Sequence, residues 1–292
     1  MAGERDFRKE RNALLRAETR MLSNTRDEIV RLLRDAASRI RVILAGQPTD
    51  YQQWALPRLQ QEIKQALAQF GEDAATKMSS AAGSAWELGS ASIAEPLIAG
   101  GALKLGASFQ AIDPRQLTAM RSFMTDRIKN VAIDAANKIN SELGLVVIGA
   151  QAPSDAIGAA TTILGETSRA RARTIVRTEL GRAFSVAAHE RVTNVAAAVP
   201  GLKKQWIRSG KIHPRLNHAV IHQQVQDVDQ PFILNGGALK MMFPLDPAAP
   251  AGETINCGCR MVAYKEDWKI DRPARGPRGL ERGPSIRELI AA

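Results

Sequence analysis

Residues 15–44 read LRAETRMLSNTRDEIVRLLRDAASRIRVIL. Leu15, Leu22, Ile29, Ala36 and Ile43 recur every seventh residue, and Leu33 and Ile40 supply a second position of the same stripe. That spacing keeps one apolar seam on one side of a helix, as in a coiled coil or a long bundle helix. A helix from about Glu4 to Leu44 is predicted, broken by the glycine and proline of GQPTD at 46–50.

The pattern continues downstream. Leu59, Ile63, Leu67 and Phe70 are spaced by four, four and three, giving a single apolar face on a second helix over about Pro57–Gly89. EPLIAGGALKLG at 95–106 reads as a break, and Asp113-Pro114 supplies an N-cap and a first-turn proline. Leu117, Met124, Ile128, Val131, Ala135 and Ile139 carry a third helix to Gly144. Residues 1–151 are therefore expected to form an extended all-helical module for self-association or for binding a larger assembly.

Beyond GAQAPSD the pattern changes. Ser154 or Asp155 is placed to cap a short helix, and a longer helix is predicted over 166–197. Strands follow at KKQWIRS (203–209) and CGCRMVAY (257–264), and FILNGGALKMMF (232–243) reads as a hairpin turning at Asn235-Gly236-Gly237. The fold class expected is mainly α, with a smaller C-terminal α+β domain in which a small sheet packs on a long helix. Its bounds are set at 152–268, followed by an Arg/Pro/Gly-rich tail at 269–292 without independent structure.

Composition agrees. The 292 residues are 45% hydrophobic and 4% aromatic, enough to bury real cores and biased toward helix. No segment approaches the roughly 20 apolar residues that span a bilayer, so no membrane partner is expected. The charged start MAGERDFRKERN lacks the apolar core of a signal peptide, and two cysteines make no secreted disulfide scaffold, so assembly in a reducing cytoplasm is expected.

The net charge of +10 favours polyanions or an acidic partner surface. No Asp or Glu lies between Arg191 and Gln226, while Lys203, Lys204, Arg208, Lys211 and Arg215 all fall there. Arg169, Arg173 and Arg177 share a helix face at four-residue steps. These, with Arg275 and Arg278 of the tail, are candidate contacts to double-stranded DNA, non-specific because no zinc-finger spacing, basic heptad fork or aromatic stacking platform accompanies them. A solvated helix face with internal ion pairs is the plainer account of the same residues.

Cys257 and Cys259 are the chain's only cysteines, placed two apart on a predicted strand and so facing one side. His213, His218 and His222 cluster upstream, with His218 and His222 at i, i+4. Two thiolates and two imidazoles (His218, His222, Cys257, Cys259) make a candidate tetrahedral structural zinc set, although Cys-x-Cys is tighter than the usual Cys-x(2–4)-Cys knuckle. Simple packing of two small apolar thiols is the competing reading, and a redox pair a third. No phosphate loop, nucleophile elbow or spaced carboxylate pair is present, so no catalytic residue is assigned and no enzyme is expected.

The motifs also come in a telling order. ARTIVRTELGRAFSVAAHERV (172–192) precedes KKQWIRS, then RLNHAVIHQQ (215–224), QPFI, MFPLDP and finally NCGC (256–259). This order resembles the phage Mu F-like head morphogenesis family, the minor head proteins of tailed phages, over about residues 152–268. Arg177, Thr178, Glu179, Trp206, Arg215, His218, Asn256, Cys257 and Cys259 carry the resemblance. Lys211 stands where members commonly have an acid, and His213 and His222 lie outside the family's pattern. The resemblance implies a virion structural protein held inside the capsid near the portal after assembly in the host cytoplasm. Its implied partners are the portal protein and the major capsid or scaffold protein, with a bearing on DNA packaging, and His218 with the Cys-x-Cys segment would close the small domain. A non-specific DNA escort and a metal-dependent hydrolase built on His218, His222, Cys257 and Cys259 are the rival functions.

Overall fold

The computed structural model describes residues 2–46, 56–104, 114–212 and 214–265. Arg275, Arg278, the rest of the 269–292 tail and His213 lie outside them. The chain is mainly helical with small antiparallel sheets near its C-terminal end. Helices α1 (Ala2–Ala45), α2 (Leu56–Ala99) and α3 (Pro114–Val147) lead to α4 (Pro153–Thr162), which runs through a π-helical turn (Ile163–Thr167) into α5 (Ser168–Ala196). Then come β1 (Leu202–Ile207), α6 (Leu216–Val220), β2 (Val225–Asp227), β3 (Phe232–Leu234), β4 (Leu239–Met241), α7 (Ala251–Thr254) and β5 (Arg260–Lys265).

The compact units are not consecutive in sequence, as a division into 1–151 and 152–268 has it. One unit combines residues 1–18, 85–112 and 181–292, and the other combines 19–84 with 113–180. Three helices, α1, α2 and α5, therefore contribute residues to both.

The second unit is a helical bundle. Of the seam, Ile29, Leu33, Ala36 and Ile40 are buried, Leu22 and Ile43 sit half-buried on its margin and Leu44 takes the last core position, while Leu15, half-buried, belongs to the first unit. The α2 face Leu59, Ile63, Leu67 and Phe70 is buried, as is the α3 face Met124, Ile128, Val131, Ala135 and Ile139. Ion pairs stitch neighbours: Glu28 to Lys77, Glu72 to Lys129, Asp134 to Arg171, and Arg127 to Glu179. The α2–α3 contacts run 71 against 132 and 83 against 121, so these helices are antiparallel.

Two helix ends differ from expectation. α2 passes through Gly89 and ends only at Ala99, where Gly101 takes a left-handed φ of 75° and Leu97 O accepts from the N–H groups of Ala102 and Leu103. Gly89 is a crossing, not a stop: a Cβ there would lie 2.2 Å from the carbonyl oxygen of Phe184 on α5. Arg191 Nε donates to Ser90 Oγ at 2.8 Å beside it. At α4, Pro153 opens the first turn behind extended Ala152, and neither Ser154 nor Asp155 caps it.

The first unit holds the sheets. β1 is central, antiparallel to β2 on one edge and β5 on the other, with Trp206 opposite Met261 and Lys204 opposite Ala263. β3 and β4 form the expected hairpin, with Asn235, Gly236 and Gly237 all at positive φ in its connection. Trp206, Phe232, Leu234, Met241, Leu245, Met261 and the α5 residues Ala188, Val192 and Val195 share one core. Burying large apolar side chains of this kind contributes about 1.5–3 kcal/mol each. A buried pair crosses this core: Arg260 of β5 donates from Nε to Glu18 of α1 at 2.7 Å, its guanidinium lying over Phe184.

Candidate metal centre

The cysteines sit one step ahead of where the strand pattern puts them. β5 begins at Arg260, so Cys257 and Cys259 lie in the irregular approach to it. Their sulfurs converge because of that approach. Asn256 adopts φ 57°, a left-handed value that asparagine tolerates, and turns the chain inward after α7. Gly258 presses against Ser209, where a Cβ would stand 3.0 Å from the serine Cβ. The glycine between the cysteines is thus the residue that lets the segment close on the end of β1.

His218 meets both sulfurs. It sits mid-way along α6, 1% exposed, with its ring edge-on to Trp206 at 5.2 Å. Its Nδ1 lies 3.5 Å from Cys257 Sγ and 3.6 Å from Cys259 Sγ. Both cysteines are 2% exposed and free of any disulfide. The three donor atoms all lie within 4.8 Å of one another. Zinc bonds of ~2.3 Å to sulfur and ~2.0 Å to nitrogen at tetrahedral angles give an S···N edge of about 3.5 Å, so the observed separations suit the group.

The far side of the imidazole is fixed as well. Glu253 Oε2, on α7, lies 2.9 Å from His218 Nε2 and accepts from Asn217 Nδ2 at 2.9 Å, while Asn217 Oδ1 accepts the His218 N–H. A carboxylate on Nε2 places the proton there and leaves the Nδ1 lone pair facing the sulfurs, the arrangement seen around metal-bound histidines. The sulfurs themselves hold charge unevenly. A hydrogen bond from Cys259 pulls the Cys257 thiol well below its ordinary range, while the same partnership and burial push Cys259 up.

The expected four-ligand set is corrected in one member. His222 is not an i+4 neighbour of His218 on a helix, because α6 ends at Val220 and the chain turns through Gln223 at φ 71°. Its Nδ1 instead accepts the N–H of Arg208 at 3.3 Å, and burial lowers its pKa. Among the described residues, His218, Cys257 and Cys259 are the grouped donors. Glu253 was missed in the sequence, since GETIN reads as loop. Its position four residues before Cys257 was the available signal.

The other resemblance-bearing residues divide. Arg215 and Lys211 donate to the carbonyls of Ile255 and Asn256, at 2.7 Å in the first case, tying the α6 approach to the cysteine segment. Lys211 thus helps fasten this loop. Trp206 forms the wall of the pocket around His218. Arg177, Thr178 and Glu179 belong to the helical unit instead, where Glu179 is buried and paired with Arg127.

The basic set is also corrected. Lys204 is fully buried: its Nζ donates to Met242 O at 2.9 Å over the Phe232 ring, and burial lowers its pKa to about 8. A lysine so enclosed cannot reach a phosphate backbone. Lys203 is part-exposed and paired with Asp227. Arg173 and Arg177 are exposed, Arg208 is half-buried, and Arg169 binds Gly165 O at 2.7 Å through Nε. None of the helices, among the described residues, is long and apolar enough to cross a membrane.

No protein-family model matches this chain, and no solved structure matches it. A 125-residue stretch, 42% of the chain, is 40% identical to the uncharacterized protein YqbB of Bacillus subtilis (strain 168). That match spans 38% of the relative's length.

Proposed function

We propose that this chain is a phage minor head protein of the Mu F-like head morphogenesis kind, a structural assembly factor that docks on the portal or the inner capsid. The observation that carries this reading is the enclosure of its chemistry-bearing residues. His218, Cys257 and Cys259 are 1–2% exposed, walled by Trp206 and closed by the Arg215 and Lys211 bonds to residues 255–256. A hydrolytic zinc keeps a position open to water and substrate. This group faces inward, which suits clasping the small domain shut. A zinc ion on His218 Nδ1 and the two sulfurs, with Glu253 orienting the imidazole, would have three protein ligands, and it is the burial of the group that favours a structural role over an open catalytic one.

Portal protein and major capsid or scaffold protein are the partners of this reading, with location in the virion near the portal and in the host cytoplasm during assembly. Exposed Arg173 suits non-specific contact with packaged double-stranded DNA. The test is co-expression with the portal protein of the same phage, followed by affinity capture and a density map of assembled particles. Retention of the chain on portal rings through high salt, and density at the portal vertex, are expected. Loss of the portal with retention of DNA at low salt would favour the escort, and turnover by the purified chain would reject the structural role.

A further inference from the structure

A second site lies in the helical unit, apart from the cysteine group and independent of the role proposed above. Between α1 and the junction of α4 with α5 is a cleft of about 300 Å³. Its floor is apolar and buried, formed by Ile40, Leu44 and Leu164, and Arg34, Arg41 and Arg169 also line it. Among the described residues, none of these three arginines is paired with a carboxylate. Elsewhere in this unit ion pairs join α1 to α2, α2 to α3 and α3 to α5. Three arginines lining one cleft, with no carboxylate among its lining residues, give it a positive potential that suits an anion.

The backbone is arranged around the same place. The junction is a π-helical turn, a form that commonly marks functional sites. Within it Gly165 O, which also accepts the Ser168 N–H, accepts from Arg169 Nε at 2.7 Å. With Nε held, the two terminal nitrogens of Arg169 keep a fixed direction. Arg34 and Arg41 are seven residues apart on α1, about 10.5 Å of rise on the same face, and side chains of ~6 Å reach can close on one multiply charged group. Arginine forks match phosphoryl oxygens in pairs, and the apolar floor weakens competition from water.

We infer that this cleft binds a small anion carrying adjacent phosphoryl groups, a diphosphate-sized ligand. The cavity is too small for an extended duplex, so free phosphorylated compounds are the source committed to. The experiment is calorimetric titration of the full chain with pyrophosphate, with inorganic phosphate and with a short DNA duplex. Pyrophosphate is expected to bind with a dissociation constant on the order of 10–100 μM, at least about tenfold tighter than phosphate. Arg34→Gln with Arg41→Gln should weaken it about 30-fold or more. Arg58→Gln, an exposed arginine of α2 paired with Glu62 and outside the cleft lining, should leave it within about twofold. Arg34 and Arg41 are exposed, so circular dichroism of the double variant should match wild type. If that variant does not fold, the wild-type titration decides. No pyrophosphate binding up to about 10 mM, equal loss in the Arg58→Gln control, or binding of the duplex without binding of pyrophosphate would each overturn the assignment.

Discussion

Replacing Glu253 by alanine isolates the outer half of the cysteine–histidine group without touching a donor atom. Glu253 Oε2 is shared by His218 Nε2 and Asn217 Nδ2, both at 2.9 Å. His218 is 1% exposed, so the alanine variant strands a buried ring N–H. Leaving such a donor without a partner costs about 1–3 kcal/mol. It also frees the tautomer, so that part of the population carries its proton on Nδ1, where the metal would bind. Loss of such an orienting carboxylate typically weakens metal binding about 10–100-fold, equivalent to about 1.4–2.7 kcal/mol. The assay is competition for zinc against a chromogenic chelator, with thermal unfolding before and after chelation as a second readout. Glu253→Gln keeps an acceptor oxygen and should fall between wild type and Glu253→Ala. Cys257→Ser should abolish tight binding and remove the effect of chelation on the melting curve. Zinc affinity of Glu253→Ala within about twofold of wild type would refute the orienting role, and a wild-type chain whose melting ignores chelator would refute the structural zinc.

Other expectations concern the fold around this group. Glu18→Gln leaves the Arg260 guanidinium enclosed without its charge partner and should cost about 3–5 kcal/mol in urea unfolding, whereas Glu18→Leu with Arg260→Met should recover most of it; equal losses in both variants would show that shape, not charge, matters there. Ile29→Asp places a carboxylate at a fully buried seam position and should cost about 4 kcal/mol or more, read as lost helical signal at lower urea; an unchanged midpoint would remove Ile29 from the core. His189, packed on Phe243 at 4.8 Å, has its pKa lowered from 6.5 to about 4, chiefly by burial and next by Lys204. The unfolded chain therefore binds the proton more readily, so stability should decline as pH falls from 6.5 toward 4, with the slope between pH 6.5 and 5 reduced in His189→Gln. Identical slopes in that window would show that His189 titrates normally.

Local periodicity carried most of the secondary structure. The helical faces around Ile29, Ile63 and Ile128 and the Asn235-Gly236-Gly237 hairpin follow from which residues repeat at 3.6 or 2 positions and which tolerate positive φ, and both are properties of short stretches. The pairing of His218 with the two cysteines was within reach for the same reason, since few residue types supply such donors.

What tertiary structure decided is how distant segments share space. Gly89 reads as a stop until α5 is seen to cross there with a carbonyl 2.2 Å from the missing Cβ. Lys204 reads as a surface cation until β1 becomes the central strand and Met242 supplies its acceptor. His222 leaves the metal set because α6 ends two residues before it, and Glu253 comes to stand behind the His218 ring because α7 folds back onto α6, a contact across 35 residues. Arg34 and Arg41 are ordinary helix-surface residues in sequence, and only the π-turn beside α1 gathers them with Arg169. Periodicity sets which face of an element is apolar. Which faces and charges meet depends on contacts between residues far apart in the chain, and no local spacing encodes those.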